Sequence, residues 1–238
     1  MTPAPDGSLL RLMTWNCRGF RTRSEYAAAF RPDVLIVQEL GTIDVLRSDI
    51  QPTFRHRIPP GRQRGLAALS YTDTKIQYVA PYQGGFHRFE VEYHGLRFHL
   101  VGVWTSTRKP QSTSYRQAHD GLKLHSDWIR ERPTVLLGDF NNHGKCRERG
   151  WDELIRQTES LGLVSAYHAV TGERFGEESN PTYFCRKGDR MYSKQLDYCF
   201  LPQEWSKNIV RVWLGSYEDW RTLSDHVPLV VDLNLGPG

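Results

Sequence analysis

The chain has 238 residues, 39% hydrophobic and 24% charged, with a formal net charge of +4. That balance excludes fibrous and disordered classes, and no apolar run nears the roughly 20 residues that cross a bilayer, so no membrane partner is expected. Cys17, Cys146, Cys185 and Cys199 lack C-x-x-C or disulfide-framework spacing, and Met1 to Leu10 lacks the basic start and apolar core of a secretory signal; reduced thiols in a cytoplasmic protein are expected.

Strand-like and helix-like stretches alternate from end to end without a linker or repeat, so one domain over 1–238 is expected, with a core from about 9 to 234. Leu9 to Trp15 reads as a strand. Thr22 with Glu25 fits a capping box, and a short helix with Tyr26, Ala27 and Phe30 then runs up to Pro32. Val34 to Val37 is apolar throughout, as in a strand buried on both faces. Leu66 to Tyr71, Ile76 to Ala80, Phe86 to Tyr93 and Leu96 to Trp104 follow as strands, the last two joined by a hairpin turn at His94-Gly95. Ser114 to Arg132 is the longest helix, with Ala118, Leu122, His125 and Ile129 on one stripe and Pro133 as its stop. Thr134 to Leu137 is another buried strand, and Trp151 to Leu161 an amphipathic helix. Strands at Leu196 to Leu201, Ile209 to Leu214 and Pro228 to Leu233 close the chain. Thr105 to Thr113 and Gly172 to Lys194 read as long polar loops. Many strands and few helices indicate an α/β or α+β sandwich.

Several of these apolar strands end in a polar group. The first ends in Asn16, the second in Gln38-Glu39, and Val135 to Gly138 in Asp139-Phe140-Asn141. Asp197 lies just inside a late strand, and Ser224-Asp225-His226 precedes the last one. Each alone is explained by a turn cap or a solvated charge. Together they would gather carboxylates at one sheet edge, where mutual repulsion opposes ionisation unless a cation neutralises it. Oxygen ligands of this kind suit Mg²⁺ or Mn²⁺ rather than zinc, and one imidazole adds a group that titrates near neutrality. The chemistry implied is metal-assisted attack of water on a phosphoester.

The ordered set Thr14-Trp15-Asn16, Gln38-Glu39, Gly138-Asp139-Phe140-Asn141, Leu196-Asp197-Tyr198 and Ser224-Asp225-His226-Val227-Pro228 resembles the endonuclease/exonuclease/phosphatase superfamily, over about residues 11 to 233. The deoxyribonuclease-I-like and exonuclease-III-like members are the nearest types, and uncharacterised bacterial members look closest. The resemblance implies a four-layer sandwich of two packed mixed β-sheets flanked by helices. It implies that Glu39 holds the metal with Asn16 close by on metal or phosphate, and that Asp225 supports the metal side. Asp139 would orient or deprotonate the attacking water, and Asn141 would hold Asp139 and donate to a phosphate oxygen. His226 would donate to the phosphoryl oxygen, with Asp197 setting its tautomer.

Trp104 stands where members often carry His or Tyr, and an indole N–H is a donor only. Arg18 stands where repair endonucleases usually have an acid, which weakens an abasic-site assignment. Arg18, Arg21, Arg23, Arg62, Arg64, Arg108, Lys109, Lys145 and Arg147 fall in loops after motif strands, where guanidinium groups suit phosphate. Trp104, Tyr115 and Tyr183 could stack on bases, and Arg18, Arg64, His168, Tyr183 and Trp104 are candidate substrate contacts. Three readings stay open. The first is a Mg²⁺- or Mn²⁺-dependent phosphodiesterase on DNA or RNA, working as a monomer. The second is a phosphatase or phosphodiesterase for a small phosphorylated molecule. The third is a catalytically silent module that binds phosphoesters or nucleic acid.

Overall fold

Runs of β-branched and aromatic residues broken by glycine and polar turns form fourteen strands among the described residues, which are 9–19, 23–41, 49–58, 64–83, 85–105, 114–143 and 150–236 of the computed structural model. One six-stranded sheet contains β1 (Leu10–Asn16), β2 (Val34–Leu40), β3 (Phe54–Ile58), β4 (Gly65–Ser70), β13 (Ile209–Leu214) and β14 (Leu229–Leu233), in the order β13-β14-β1-β2-β4-β3. The other contains β5 (Lys75–Gln83), β6 (Phe86–Tyr93), β7 (Leu96–Trp104), β8 (Thr134–Asp139), β9 (Leu163–Ser165) and β12 (Asp197–Pro202), in the order β5-β6-β7-β8-β12-β9. Both sheets are mixed: β1–β2 and β7–β8 run parallel, and the remaining pairs antiparallel. A separate two-stranded ribbon joins β10 (Tyr183–Lys187) to β11 (Arg190–Lys194).

Alternation along each strand sorts side chains onto two faces. Leu12, Ile36, Ala68 and Val231 from the first sheet meet Phe89, Leu100, Leu137 and Cys199 from the second in the inter-sheet core. Met13, Trp15, Leu35, Val37 and Val230 face outward under α1 (Ser24–Ala28) and Trp220 of α5 (Tyr217–Trp220). Val101, Val103, Leu136 and Phe200 face outward under α2 (Ser114–Glu131) and α3 (Trp151–Ser160). The molecule therefore has two packed mixed sheets with helices outside, the expected sandwich. Ala118, Leu122, His125 and Ile129 of α2 are all buried, as their spacing predicts. No helix among the described residues is long and apolar enough to cross a membrane.

Some expectations need correction. Gly172 to Lys194 is not a loop throughout, because its second half forms β10 and β11. Residues 186–193 are exposed, so no buried face imposed the apolar alternation that reveals a strand. β3, reading Phe-Arg-His-Arg-Ile, was missed because an edge strand with half-exposed polar residues carries little apolar signal. The short α4 (Ala166–Thr171) also follows β9 directly, unforeseen. The α1 cap is Arg23, without a side-chain cap bond, and Thr22 lies outside the described residues. Most of Thr105 to Thr113 also lies outside them.

Candidate active site

Pleat parity decides which strand-end residues meet. Asn16 shares a face with Leu12, Asp139 with Leu137, Asp197 with Cys199, and Trp104 with Leu100, so all four point into the gap between the sheets at one end. The ladder puts Asp139 opposite Asp197 on one side and Trp104 on the other.

Local backbone features hold these groups still. At Gly138, φ is +149° and a Cβ would lie 2.0 Å from the Val103 carbonyl oxygen, so only glycine lets β8 approach β7 just before Asp139. Asn141, with φ +50°, turns the chain back so that its own N–H donates to Asp139 Oδ1 at 2.8 Å. Its side-chain amide donates to Asp139 Oδ2 at 3.0 Å and to the Thr105 carbonyl at 2.7 Å. Glu39, with φ +55°, sits where the β2–β4 register slips between Val37 and Leu40. A residue held at positive φ outside glycine is costly, and such strain concentrates at working sites.

Asn16 Nδ2 donates to Asp139 Oδ2 at 3.0 Å and reaches Glu39 Oε1 at 3.5 Å. Its Oδ1 is buried without a hydrogen-bond partner. On the far side of Asp139, His226 Nδ1 pairs with Asp197 Oδ2 at 2.8 Å, and Asp197 Oδ1 is likewise buried and unpaired. Asp139, Asp197 and His226 each offer an atom within 4.8 Å of the others, and all three residues are buried. Burial, then the Asp197 charge, pushes the Asp139 carboxyl up to about 7. Burial works to lower the His226 imidazole, but the charge and hydrogen bond of Asp197, with the charges of Asp139 and Asp225, carry it up to about 9. The result is a positively charged imidazole at neutral pH, paired to one carboxylate and set beside another that exchanges its proton near neutrality.

The remaining expected residues are spread around this cluster and beyond it. Asp225 stays at the site rim, where Arg18 Nη1 lies 3.5 Å from its carboxylate, so the arginine that stands in an acid's usual position meets an acid here. Arg64 forms an ion pair with Glu39. Tyr183 bridges to His226, with its ring centroid 4.9 Å from the imidazole, and burial raises its phenol. Trp104 packs half-buried against the inter-sheet core. His168 is held elsewhere: Nδ1 pairs with Ser165 at 2.8 Å, Nε2 with Glu178 at 3.3 Å, and the ring stacks on Phe175 at 3.7 Å. Both nitrogens are thus engaged, and among the described residues no hydrogen bond or ion pair joins it to the Asp139 cluster. Arg21, Arg62, Arg108, Lys109, Lys145 and Arg147 lie outside the described residues.

Three residues support the site in roles that the sequence did not reveal. The buried Thr182 hydroxyl accepts from the backbone N–H groups of Leu196 and Asp197, both at 3.1 Å, and its carbonyl accepts from Val227. Ser224 donates to the Asn16 carbonyl at 2.7 Å and accepts from the His226 N–H. Trp15 Nε1 donates to the His226 carbonyl at 3.0 Å. Thr182 gave no signal, since threonine in a polar stretch has no pattern; Ser224 and Trp15 stand within the motifs, but no role was assigned to them.

The sequence profile of the Endonuclease/Exonuclease/phosphatase family matches residues 13–226. No curated protein matches by sequence. Among solved structures, a 3′ phosphatase, NExo, from Neisseria bound to product DNA hairpin is similar, with TM-score 0.68, 18% identity, and 94% of this chain and 99% of that one covered. An AP endonuclease from Archaeoglobus fulgidus has TM-score 0.69 at 15% identity, covering 95% and 100% of the two chains. TDP2 from D. rerio, complexed with single strand DNA product, has TM-score 0.68 at 14% identity, covering 95% and 99%. Identities this low establish a shared fold.

Proposed function

Because the chain belongs to the endonuclease/exonuclease/phosphatase family, we propose that it is a divalent-metal-dependent phosphoesterase that hydrolyses phosphodiester bonds of DNA or RNA. The observation that carries the reading is the buried Asp139, fastened by Asn16 and Asn141 and lying beside the Asp197–His226 pair. Fold relatives solved with DNA support nucleic acid as the substrate.

The residues fit a hard divalent cation: the donors are oxygens, and Asn16, whose Nδ2 reaches the Glu39 carboxylate, has a buried Oδ1 with no hydrogen-bond partner among the described residues. Glu39 and Asn16 would hold Mg²⁺ or Mn²⁺, with Asp225 supporting that side. When bound, the cation would supply positive charge to a phosphate oxygen. Asp139 would orient the attacking water and take its proton, a task that suits a carboxyl near 7. Asn141 keeps that carboxylate aimed through two hydrogen bonds. His226, charged and fixed through Nδ1 by Asp197, leaves Nε2 to donate to the phosphoryl oxygen as negative charge gathers there. Arg18 and Tyr183 would contact the substrate at the rim, Trp104 would line the gap, and Arg64 would pass from Glu39 to phosphate once a cation neutralises that carboxylate.

The test is hydrolysis of single- and double-stranded DNA, RNA, inositol phosphates and bis(p-nitrophenyl) phosphate with Mg²⁺, Mn²⁺ or EDTA. Cleavage of nucleic acid that EDTA stops is the expected result. Turnover that survives EDTA would remove the metal; turnover confined to the small phosphoesters would replace the polymer substrate.

A further inference from the structure

The ribbon of β10 and β11 stands apart from both sheets and carries an unusual load. Between Tyr183 and Lys194 the chain has Arg186, Lys187, Arg190 and Lys194 against Asp189 alone, a net +3 in a chain whose total is +4. Residues 186–193 are all exposed. Charge so concentrated cannot be dismissed as general solubility.

Register sorts these residues by face. Antiparallel partners share a face, and the pairs are Tyr183 with Lys194, Phe184 with Ser193, Cys185 with Tyr192, Arg186 with Met191, and Lys187 with Arg190. One face therefore holds Tyr183, Cys185, Lys187, Arg190, Tyr192 and Lys194. The Lys187 ammonium lies 6.0 Å above the Tyr192 ring, as residues sharing a face should. Tyr183 on this same face meets the His226 ring, so the cationic, aromatic face is continuous with the candidate active site. The opposite face is an anchor: Phe184 packs 4.7 Å from Tyr217 and against the outer core, and its N–H donates to the Asp225 carbonyl at 2.8 Å.

We infer that this ribbon is a strand-gripping arm, whose Lys187, Arg190 and Lys194 bind phosphates of a nucleic acid beyond the bond cleaved at His226 while Tyr192 stacks on a base or sugar. The inference rests on the proposed nucleic-acid substrate and adds where that polymer lies. From Tyr183 to Lys187 the ribbon extends about 14 Å at roughly 3.4 Å per residue. A duplex rises about 3.4 Å per base pair, so the arm covers about four steps on one side of the scissile bond. Substrates shorter than that on the arm's side gain nothing from it.

The experiment measures binding of fluorescent 20-nucleotide single- and double-stranded DNA to full-length protein in EDTA as NaCl is raised. Each phosphate contact contributes about 0.9 to the slope of log affinity against log salt on B-DNA. Lys187→Gln/Arg190→Gln/Lys194→Gln should lower that slope by about 2 to 3, since three contacts are lost. Lys123→Gln/Arg130→Gln/Arg156→Gln, which removes the same charge from the exposed surfaces of α2 and α3, should leave the slope within about 0.5 of the parent. With Mg²⁺ present, the ribbon variant should lose about tenfold more rate on the 20-mer than on bis(p-nitrophenyl) phosphate, as three weakened phosphate contacts imply. Equal slopes for the two triple variants, or absence of DNA binding by the parent, would overturn the arm. If the parent binds DNA through the ribbon yet hydrolyses nothing, the arm stands and the hydrolytic reading falls.

Discussion

Buried polar and charged groups gather at both ends of β1, and the two ends are finished differently. At the entry end, Arg11 is 3% exposed and its guanidinium meets Asp232 through Nε at 2.7 Å and Nη2 at 3.0 Å, while Nη1 donates to the Phe30 carbonyl at 2.8 Å. Arg211 adds a second cation to Asp232, and the Arg11 N–H donates to Asp33. Charge there is neutralised from within. At the exit end, Asp139 and Asp197 bring two carboxylates against the His226 imidazole, and Asn16 Oδ1 and Asp197 Oδ1 have no hydrogen-bond partner among the described residues. Buried polar groups are normally satisfied, because an unmade hydrogen bond costs about 1–3 kcal/mol. The contrast teaches that the entry end closes on its own cations, whereas the exit end leaves two acceptor oxygens open, the kind of atom that a cation or a hydrogen-bond donor completes.

The sharpest way to break this contrast is to mutate each end and compare activity with stability. Asp139→Asn should lower turnover by about 10² to 10⁴-fold, the range for a lost general base, while the melting midpoint holds or rises because a crowded buried charge is gone. A destabilised variant with normal turnover would make the exit end structural. Arg11→Met should do the reverse: about 3 kcal/mol of stability lost in urea unfolding, the low end for a broken buried pair because Arg211 stays, with turnover per folded molecule intact.

A smaller effect is expected at the rim. Glu39→Gln should raise the Mg²⁺ concentration for half-maximal rate by about tenfold or more, as for other weakened metal ligation, and an unaltered requirement would take Glu39 off the metal. The least expected effect lies at neither end. His87, on β6 and by pleat parity on the inter-sheet face with Phe89, is held down to about 3 by burial and by the charges of His125 and His56. Its unfolded form protonates first, so its contribution to stability is complete above about pH 6.5 and is lost as pH falls toward 3. The raised Asp139 carboxyl gains stability over the same range and opposes this, so the readout is a difference: the unfolding free energy of the parent minus that of His87→Gln, from urea titrations between pH 7 and 5, should fall by up to about 1.4 kcal/mol per pH unit. An equal slope in the variant would put the acid sensitivity elsewhere.

The parts of this molecule that could be read early share a physical cause. Strands buried on both faces must be apolar, so Val34 to Val37 and Thr134 to Leu137 announce themselves, and a polar residue at their ends is conspicuous. The ribbon was not legible because both of its faces meet solvent in its outer half. His168 looked like a substrate contact because composition cannot reveal that Ser165 and Glu178 take both its nitrogens. Arg64 was read as a free phosphate ligand, and its pairing with Glu39 depends on β4 lying beside β2.

The sequence by itself determined the inventory: which polar residues stand at the strand ends, their order, and the parity that aims Asn16, Asp139 and Asp197 to one face of their strands. A residue's type and its place in a two-residue pleat are local properties. Only the tertiary structure decided that Asp197 pairs with His226 across 29 positions, that Asn16 bonds Asp139 across 123, and that a basic ribbon begins beside the same imidazole. Such contacts arise from how two sheets stack and twist, and stacking is set by the summed packing of the inter-sheet core rather than by any segment of the chain.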